Sequence, residues 1–231
     1  VAVYIIMGAL IGDATKAHIA DATPALMIAL AIFVIGFVTL LFTKIEEPEQ
    51  APVDISLVKG AMKYRHFVLG VIAIFLYMGV EVGTPTYILQ YLTSPEMGMD
   101  ASIVGLIVAV YWLMMLVGRF VGGAIGSKVS SRAMITTVSA VTLVLVAFGM
   151  FAPTSITVNV PGIDWANLNL IWAEVPVGIF AFLLVGLCTS VMWGGIFNMA
   201  VEGLGKYTAI ASGIFMTMVF GCAVMVAIQG Y

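Results

Sequence analysis

Charge is scarce in this sequence. Asp, Glu, Lys and Arg together make up 9% of its 231 residues, and 62% are hydrophobic; an ordinary soluble domain carries about 25% charged and about 45–50% apolar residues. That balance excludes a soluble globular domain. Histidine and cysteine are rarer still, with two of each. His18 and His66 fall in segments read as loops, and Cys188 and Cys222 sit in separate apolar runs, so the chain offers neither metal-ligand spacing nor a disulfide framework. Lys and Arg form no tract interleaved with aromatics, which argues against a nucleic-acid partner. The glycines of Gly203-Leu204-Gly205-Lys206-Tyr207 lack both the spacing and the hydroxyl of a phosphate-cradling loop. ATP-driven work is therefore not expected of this chain. No acids or histidines converge in the way hydrolytic chemistry requires, so neither an enzyme nor a cofactor is expected.

Long apolar runs are what the sequence has instead. Ala25 to Phe42, Phe67 to Leu89, Ile135 to Phe151 and Val177 to Met199 carry at most one ionisable residue each, and a helix needs about 20 mostly apolar residues to cross the hydrocarbon core. The runs are continuous and do not alternate, which speaks against spanning strands. Apolar runs set against polar breaks predict an all-α polytopic bundle: a partial helix at 1–12, then full spans near 25–43, 67–91, 102–123, 133–152, 174–199 and 209–230. Val1 to Ile11 lacks an initiator Met and a basic leader, and Ile210 to Tyr231 ends without a polar tail; both ends read as truncations of a longer protein.

The basic residues orient the bundle. Loop 44–66 holds Lys44, Lys59, Lys63 and Arg65, loop 124–132 holds Lys128 and Arg132, and loop 200–208 holds Lys206. The alternating segments 13–24, 92–101 and 153–173 hold only Lys16. By the positive-inside rule the three basic loops are expected in the cytoplasm. Segment 44–66, rich in Glu, Pro and Lys, reads as a linker between two bundles. Trp165 and Trp172, in or beside the Pro-punctuated outer loop, suit interfacial anchoring.

Glu81 stands out, because it is the one acidic residue well inside a span. A charge at mid-membrane costs about 2.5–3.5 kcal/mol even on the lenient insertion scale, so it must face a partner, the bundle interior or a watery cavity. Two readings stay open: a protonatable or solute-binding group, or a carboxyl hydrogen-bonded to a neighbouring helix for packing. At 100° per residue Tyr77, Glu81, Thr84 and Tyr91 share a face, a stripe that suits a polyhydroxylated solute. Pro85, with Gly79 and Gly83, is placed to loosen that helix, although the two glycines alone fit a helix contact. Trp112 is a candidate for stacking on a sugar ring, or a core aromatic. Gly118, Gly122 and Gly126 repeat at four-residue spacing and predict close helix packing. Arg119 lies in the last turns before the basic loop and is expected to snorkel to the interface as a structural or gating residue. Ser190, Trp193, Gly194, Gly195 and Asn198 form a polar, flexible patch, with Asn198 expected to bond either another helix or a solute.

Three stretches carry a family resemblance: Phe75-Leu76-Tyr77-Met78-Gly79-Val80-Glu81-Val82, then Tyr111-Trp112 with Gly118-Arg119-Phe120, then Gly195-Ile196-Phe197-Asn198 leading into Gly203-Leu204-Gly205-Lys206. The chain resembles the major facilitator superfamily, and within it the fucose:proton and glucose/galactose symporter group. The resemblance implies secondary transport of a monosaccharide with protons by alternating access, in the bacterial inner membrane. Residues 1–43 would be the end of an N-terminal bundle (partial helix five and helix six), 44–66 the cytoplasmic linker, and 67–231 helices seven to eleven of the C-terminal bundle, its last helix beyond the chain. The partners it implies are the sugar, protons, the lipid bilayer and the rest of the N-terminal bundle. On this reading Tyr77, Glu81, Thr84, Trp112, Trp193 and Asn198 line the solute cavity, while Arg119, Lys128 and Arg132 serve gating or structure. Two departures are a glycine, Gly194, where many relatives have proline, and the absence of an aspartate between Ser127 and Arg132. A carrier of drugs or organic anions on the same scaffold is the alternative, with a non-transporting scaffold behind it. A basic residue in the cavity would favour anions, and the sequence alone points to none.

Overall fold

A computed structural model describes residues 23–44, 55–164 and 169–230. The expected partial helix at 1–12, Lys16, His18, the acidic part of the linker and Trp165 lie outside the described residues. Helix α1 covers Thr23–Phe42, a short α2 covers Ile55–Ala61, and α3 runs Arg65–Leu92. Helices α4 (Ala101–Ile125) and α5 (Ser131–Phe151) follow, then strands β1 (Thr157–Asp164) and β2 (Asn169–Pro176), then α6 (Val177–Val201). The last apolar segment is α7 (Thr208–Thr217), a 3-10 turn at Met218–Phe220 and α8 (Gly221–Gln229). Among the described residues, five segments are long and apolar enough to cross a membrane: Arg65–Leu92, Ile103–Ile125, Ser131–Phe151, Val177–Val201 and Gly205–Gln229.

Helix α6 sits at the centre, packed by α3, α4 and α5. Helix α5 buries no residue fully, and side chains such as Leu143, Val144 and Phe151 stand open, as apolar groups do in a solvent that is itself hydrocarbon. Ser130 caps its start, its Oγ accepting from the Ala133 amide at 3.3 Å, which satisfies one of the donors a helix N-terminus leaves free.

Two apolar cores form along the bundle. One, toward the β-hairpin, gathers Ile88, Leu92, Val104, Val108, Val175 and Leu183; the other, toward the basic loops, gathers Phe67, Ile74, Ile196, Ala200, Leu204 and Phe215. The basic loops meet at one end: His66 Nε2 lies 2.9 Å from the Glu202 carbonyl oxygen, and Gly60 faces the Tyr207 ring. His66 itself is in the first turn of α3, where the sequence reading put it in a loop. Gly203 and Gly205 hold positive φ of 71° and 52°, a region that side-chain-bearing residues avoid. They turn the chain so that Leu204 between them points into the core, 2% exposed. That turn is the structural role of the glycines that fail as a phosphate loop.

Two features depart from the sequence reading. The linker is not wholly irregular, because α2 packs on α7 and Ala61 is fully buried. The outer loop contains an antiparallel hairpin, with Val160 opposite Ala173 and Pro161 opposite Trp172. Its inner face, Val160, Ile171, Ala173 and Val175, closes the core next to it, and Gly162 approaches Ile103. Pro161 is tolerated because a two-stranded ribbon has only edges. Trp172 is on the outer face, 66% exposed.

Close helix approach rests on glycine. A Cβ at Gly221 would strike the backbone carbonyl of Phe75 in α3, whereas one at Gly213 would meet nothing. Gly221→Ala is therefore expected to lower stability by about 1–3 kcal/mol, and Gly213→Ala to raise it by roughly 0.5–1 kcal/mol through the lost entropy of glycine. Thermal unfolding of the full-length protein in detergent reads both; equal effects would count against this packing.

Candidate functional site

Between the two apolar cores lies a polar layer. The buried polar or charged residues among those described are Glu81, Thr189 and Ser190, at 8%, 0% and 7% exposure. Pro85 explains why the layer forms where it does. Proline has no N–H, so a helix that continues through it leaves the carbonyl four residues earlier without its partner. That carbonyl belongs to Glu81, and Tyr111 of α4 donates its hydroxyl to it at 3.0 Å. Thr189 Oγ1 of α6 lies 3.4 Å from the same hydroxyl and donates to the Gly186 carbonyl at 3.1 Å. Tyr77, one turn before Glu81, donates to the Thr189 carbonyl at 2.9 Å. Three helices are tied together at one level.

The Glu81 side chain has a charged neighbour. Arg119 Nη2 of α4 lies 3.7 Å from Glu81 Oε1, and the two side chains differ sharply in access, 60% against 11% exposed. Arg119 also points a guanidinium nitrogen at Met115 Sδ, 3.6 Å away. The guanidinium thus turns toward Glu81, where the sequence reading had it snorkelling to the interface. A basic residue does stand at the site, contrary to what the sequence alone pointed to.

The remaining expected site residues are distributed as follows. Beyond the contacts of Gly118 with Ser190 and of Gly122 with Val191, α4 and α6 part around a cavity of about 240 Å³ lined by Arg119, Ser131, Ser190, Gly194 and Asn198. Asn198 is exposed there. Trp193 turns away from it, stacking on Phe197 at 5.7 Å and meeting Phe215 edge-on. Trp112 packs edge-on against Tyr111 at 5.5 Å. Thr84 donates to its own helix, to the Val80 carbonyl at 2.8 Å, and with Tyr87 and Tyr91 lines a separate cavity of about 420 Å³ near the hairpin end. The expected stripe on α3 is therefore divided between two environments. Arg132 lines a cavity at the basic end with His66, Asn198 and Glu202, and Lys128 is exposed in the adjoining turn.

Sequence reasoning missed Thr189, the Glu81–Arg119 pair and the bond from Tyr111 to Glu81. The signal for the last was present, since Pro85 follows Glu81 by four residues. Around the small cavity a guanidinium, an amide and hydroxyls can donate and accept hydrogen bonds to a polar molecule, with the Glu81 carboxyl 3.7 Å from the guanidinium. No group of three or more His, Cys, Asp or Glu suited to a metal occurs among the described residues.

Comparison with known proteins places this arrangement. The model of the Major Facilitator Superfamily matches residues 1–227. The chain belongs to the Major Facilitator Superfamily. Among its curated relatives in the superfamily is a glucose/galactose transporter of Brucella abortus, 30% identical over 222 residues, which covers 94% of this chain and 49% of the relative. A putative glucose/galactose transporter of Helicobacter pylori is 26% identical over 92% of this chain and 47% of its own length. The L-fucose-proton symporter of Escherichia coli is 21% identical over 89% and 42%. A solved structure of the E. coli fucose:proton symporter superposes with a TM-score of 0.69 at 19% identity, covering 91% of this chain and 48% of that one; it shows that the fold is shared. The chain spans about half the length of the curated relatives it matches. Family and apolar helices together make it an integral membrane protein.

Tyr111→Phe is expected to leave the Glu81 carbonyl unpaired and to cost about 1–3 kcal/mol. In a Pro85→Ala background the restored amide supplies that partner, so the same substitution should cost much less. A double-mutant cycle by detergent unfolding measures the coupling; additive effects would refute the pairing.

Proposed function

We propose that this chain is the solute-binding C-terminal part of a secondary active transporter that carries a monosaccharide together with protons. The observation that carries the reading is a buried carboxyl in a spanning helix, Glu81, 3.7 Å from Arg119, whose guanidinium lines a small cavity with Ser190 and Asn198. A burial this costly is retained where a group meets a partner or a solute. The names of the relatives, glucose/galactose transporters and an L-fucose-proton symporter, supply the solute class and the coupling ion.

On this reading residues 1–43 belong to the end of the N-terminal bundle, 44–66 to the cytoplasmic linker and 67–231 to the C-terminal bundle. Loops 44–66, 124–132 and 200–208 face the cytoplasm of a bacterial inner membrane, in keeping with their basic residues. The two bundles rock about the central site in alternating access. Glu81, Tyr77 and Asn198 contact the solute, with Thr84 and Trp112 toward the outer approach and Trp193 backing the inner wall. Arg132 and Lys128 stand at the cytoplasmic gate.

Full-length transporter in proteoliposomes should take up glucose, galactose or L-fucose when an inward proton gradient is imposed. Glu81→Gln removes a charge-assisted hydrogen bond worth about 1.5–3 kcal/mol, so solute affinity should fall roughly ten- to hundred-fold. Uptake of no sugar under any gradient would remove the sugar assignment; unchanged affinity would remove Glu81 from the site.

A further inference from the structure

Among the described residues, Arg119 is the only charged one lining the cavity between α4 and α6. Taken alone it would make that cavity cationic, and a guanidinium with five N–H donors is well suited to a carboxylate or phosphate. It is not alone, because Glu81 Oε1 stands 3.7 Å away. Two opposite unit charges at this separation cancel for any third charge more than a few ångströms off, while each remains available to a dipole at close range.

The pair is built asymmetrically. Glu81 is the fixed member: its side chain is 11% exposed and its backbone is bonded to Tyr111. Arg119 is the open member, 60% exposed and facing the cavity that Ser190 and Asn198 also line. An arriving solute therefore meets a guanidinium whose charge is already balanced from behind.

We infer that the Glu81–Arg119 pair sets the charge selectivity of this site, with Glu81 masking Arg119 so that an uncharged polyhydroxylated solute is accepted and its carboxylate analogue is refused. The inference rests on the solute-site reading given above. Hydroxyls of a neutral sugar can donate to the carboxylate and accept from the guanidinium together. An anion drawn to Arg119 is repelled by Glu81 at nearly the same distance. Removing Glu81 leaves the Arg119 guanidinium without its counter-charge, and an unmasked Arg119 would then recruit an anion of its own. Exclusion by a placed like charge is a general route to specificity.

The test uses the full-length protein in proteoliposomes with D-galactose and D-galacturonate as probes, comparing wild type, Glu81→Gln, Arg119→Gln and the double variant. Wild type should bind galactose and show at least ten-fold weaker binding of galacturonate. Glu81→Gln should gain galacturonate binding by about ten-fold over wild type, and the added Arg119→Gln should abolish that gain. Glu81→Ser serves as a second unmasking variant, so that failure of one protein to fold leaves the question answerable. Weakened galactose binding without any gain for galacturonate, in both unmasking variants, would overturn this inference and leave the solute site standing. No change for either sugar would overturn both.

Discussion

A proline in the middle of a membrane helix creates a debt that must be settled inside the bundle, because hydrocarbon offers no hydrogen bonds. Pro85 frees the carbonyl of Glu81, and the hydroxyl of Tyr111 takes it at 3.0 Å. This one bond fixes the relative height of α3 and α4. It also places the Tyr111 ring against Gly186 of α6, where a larger residue would collide with the Tyr111 backbone. Thr189 follows because it lies one turn further along α6, within 3.4 Å of the same hydroxyl. Tyr77 then reaches the Thr189 carbonyl. The polar layer is thus a consequence of a single missing amide, propagated through three helices whose close approach glycine permits.

The apolar cores on either side do a different task. In a membrane there is little hydrophobic force between helices, since lipid tails are as apolar as leucine. Packing against Phe67, Val104 and Phe215 gains dispersion contacts and excludes lipid, but any well-shaped apolar surface would do the same. Register is better specified by the polar layer, because slipping one helix by a turn would leave the Glu81 carbonyl and the phenols of Tyr77 and Tyr111 without partners. The hairpin packs on the core at one end of the bundle, and α2 packs on α7 at the other.

Much of this was legible in the chain. The spans were readable because a bilayer forces each crossing to be continuous and apolar, and their observed limits differ from the expected ones by a few residues at most. Glu81 was readable for the same reason, since a carboxylate in such a run has no cheap explanation. The hairpin was not, because Pro161 and Pro176 within its strands and Pro153 just before them read as breakers, and pairing between two eight-residue strands is a non-local choice. The division of Tyr77 and Glu81 from Thr84 and Tyr91 escaped too: angular position on a helix gives the face a residue shares, but not which neighbour lies over that face at each depth. The nearness of Arg119 to Glu81 was not legible either: the side chain, 60% exposed, reaches within 3.7 Å of the carboxyl, and counting residues to the loop carries no information about that contact.

The looseness of the Glu81–Arg119 contact bears on its purpose. If the pair served stability alone, the expected form would be two parallel N–H···O bonds with both groups enclosed, because desolvation of each charge is repaid only by excellent geometry. At 3.7 Å with the guanidinium mostly open, the pair recovers less of that cost than it might. An incomplete interaction of this kind is easily exchanged, since a hydroxyl can insert between the partners without first breaking a strong bond. Register is held elsewhere in the layer, by Tyr111 and Tyr77 bonded to backbone carbonyls, so the charged groups can change partners without breaking those bonds.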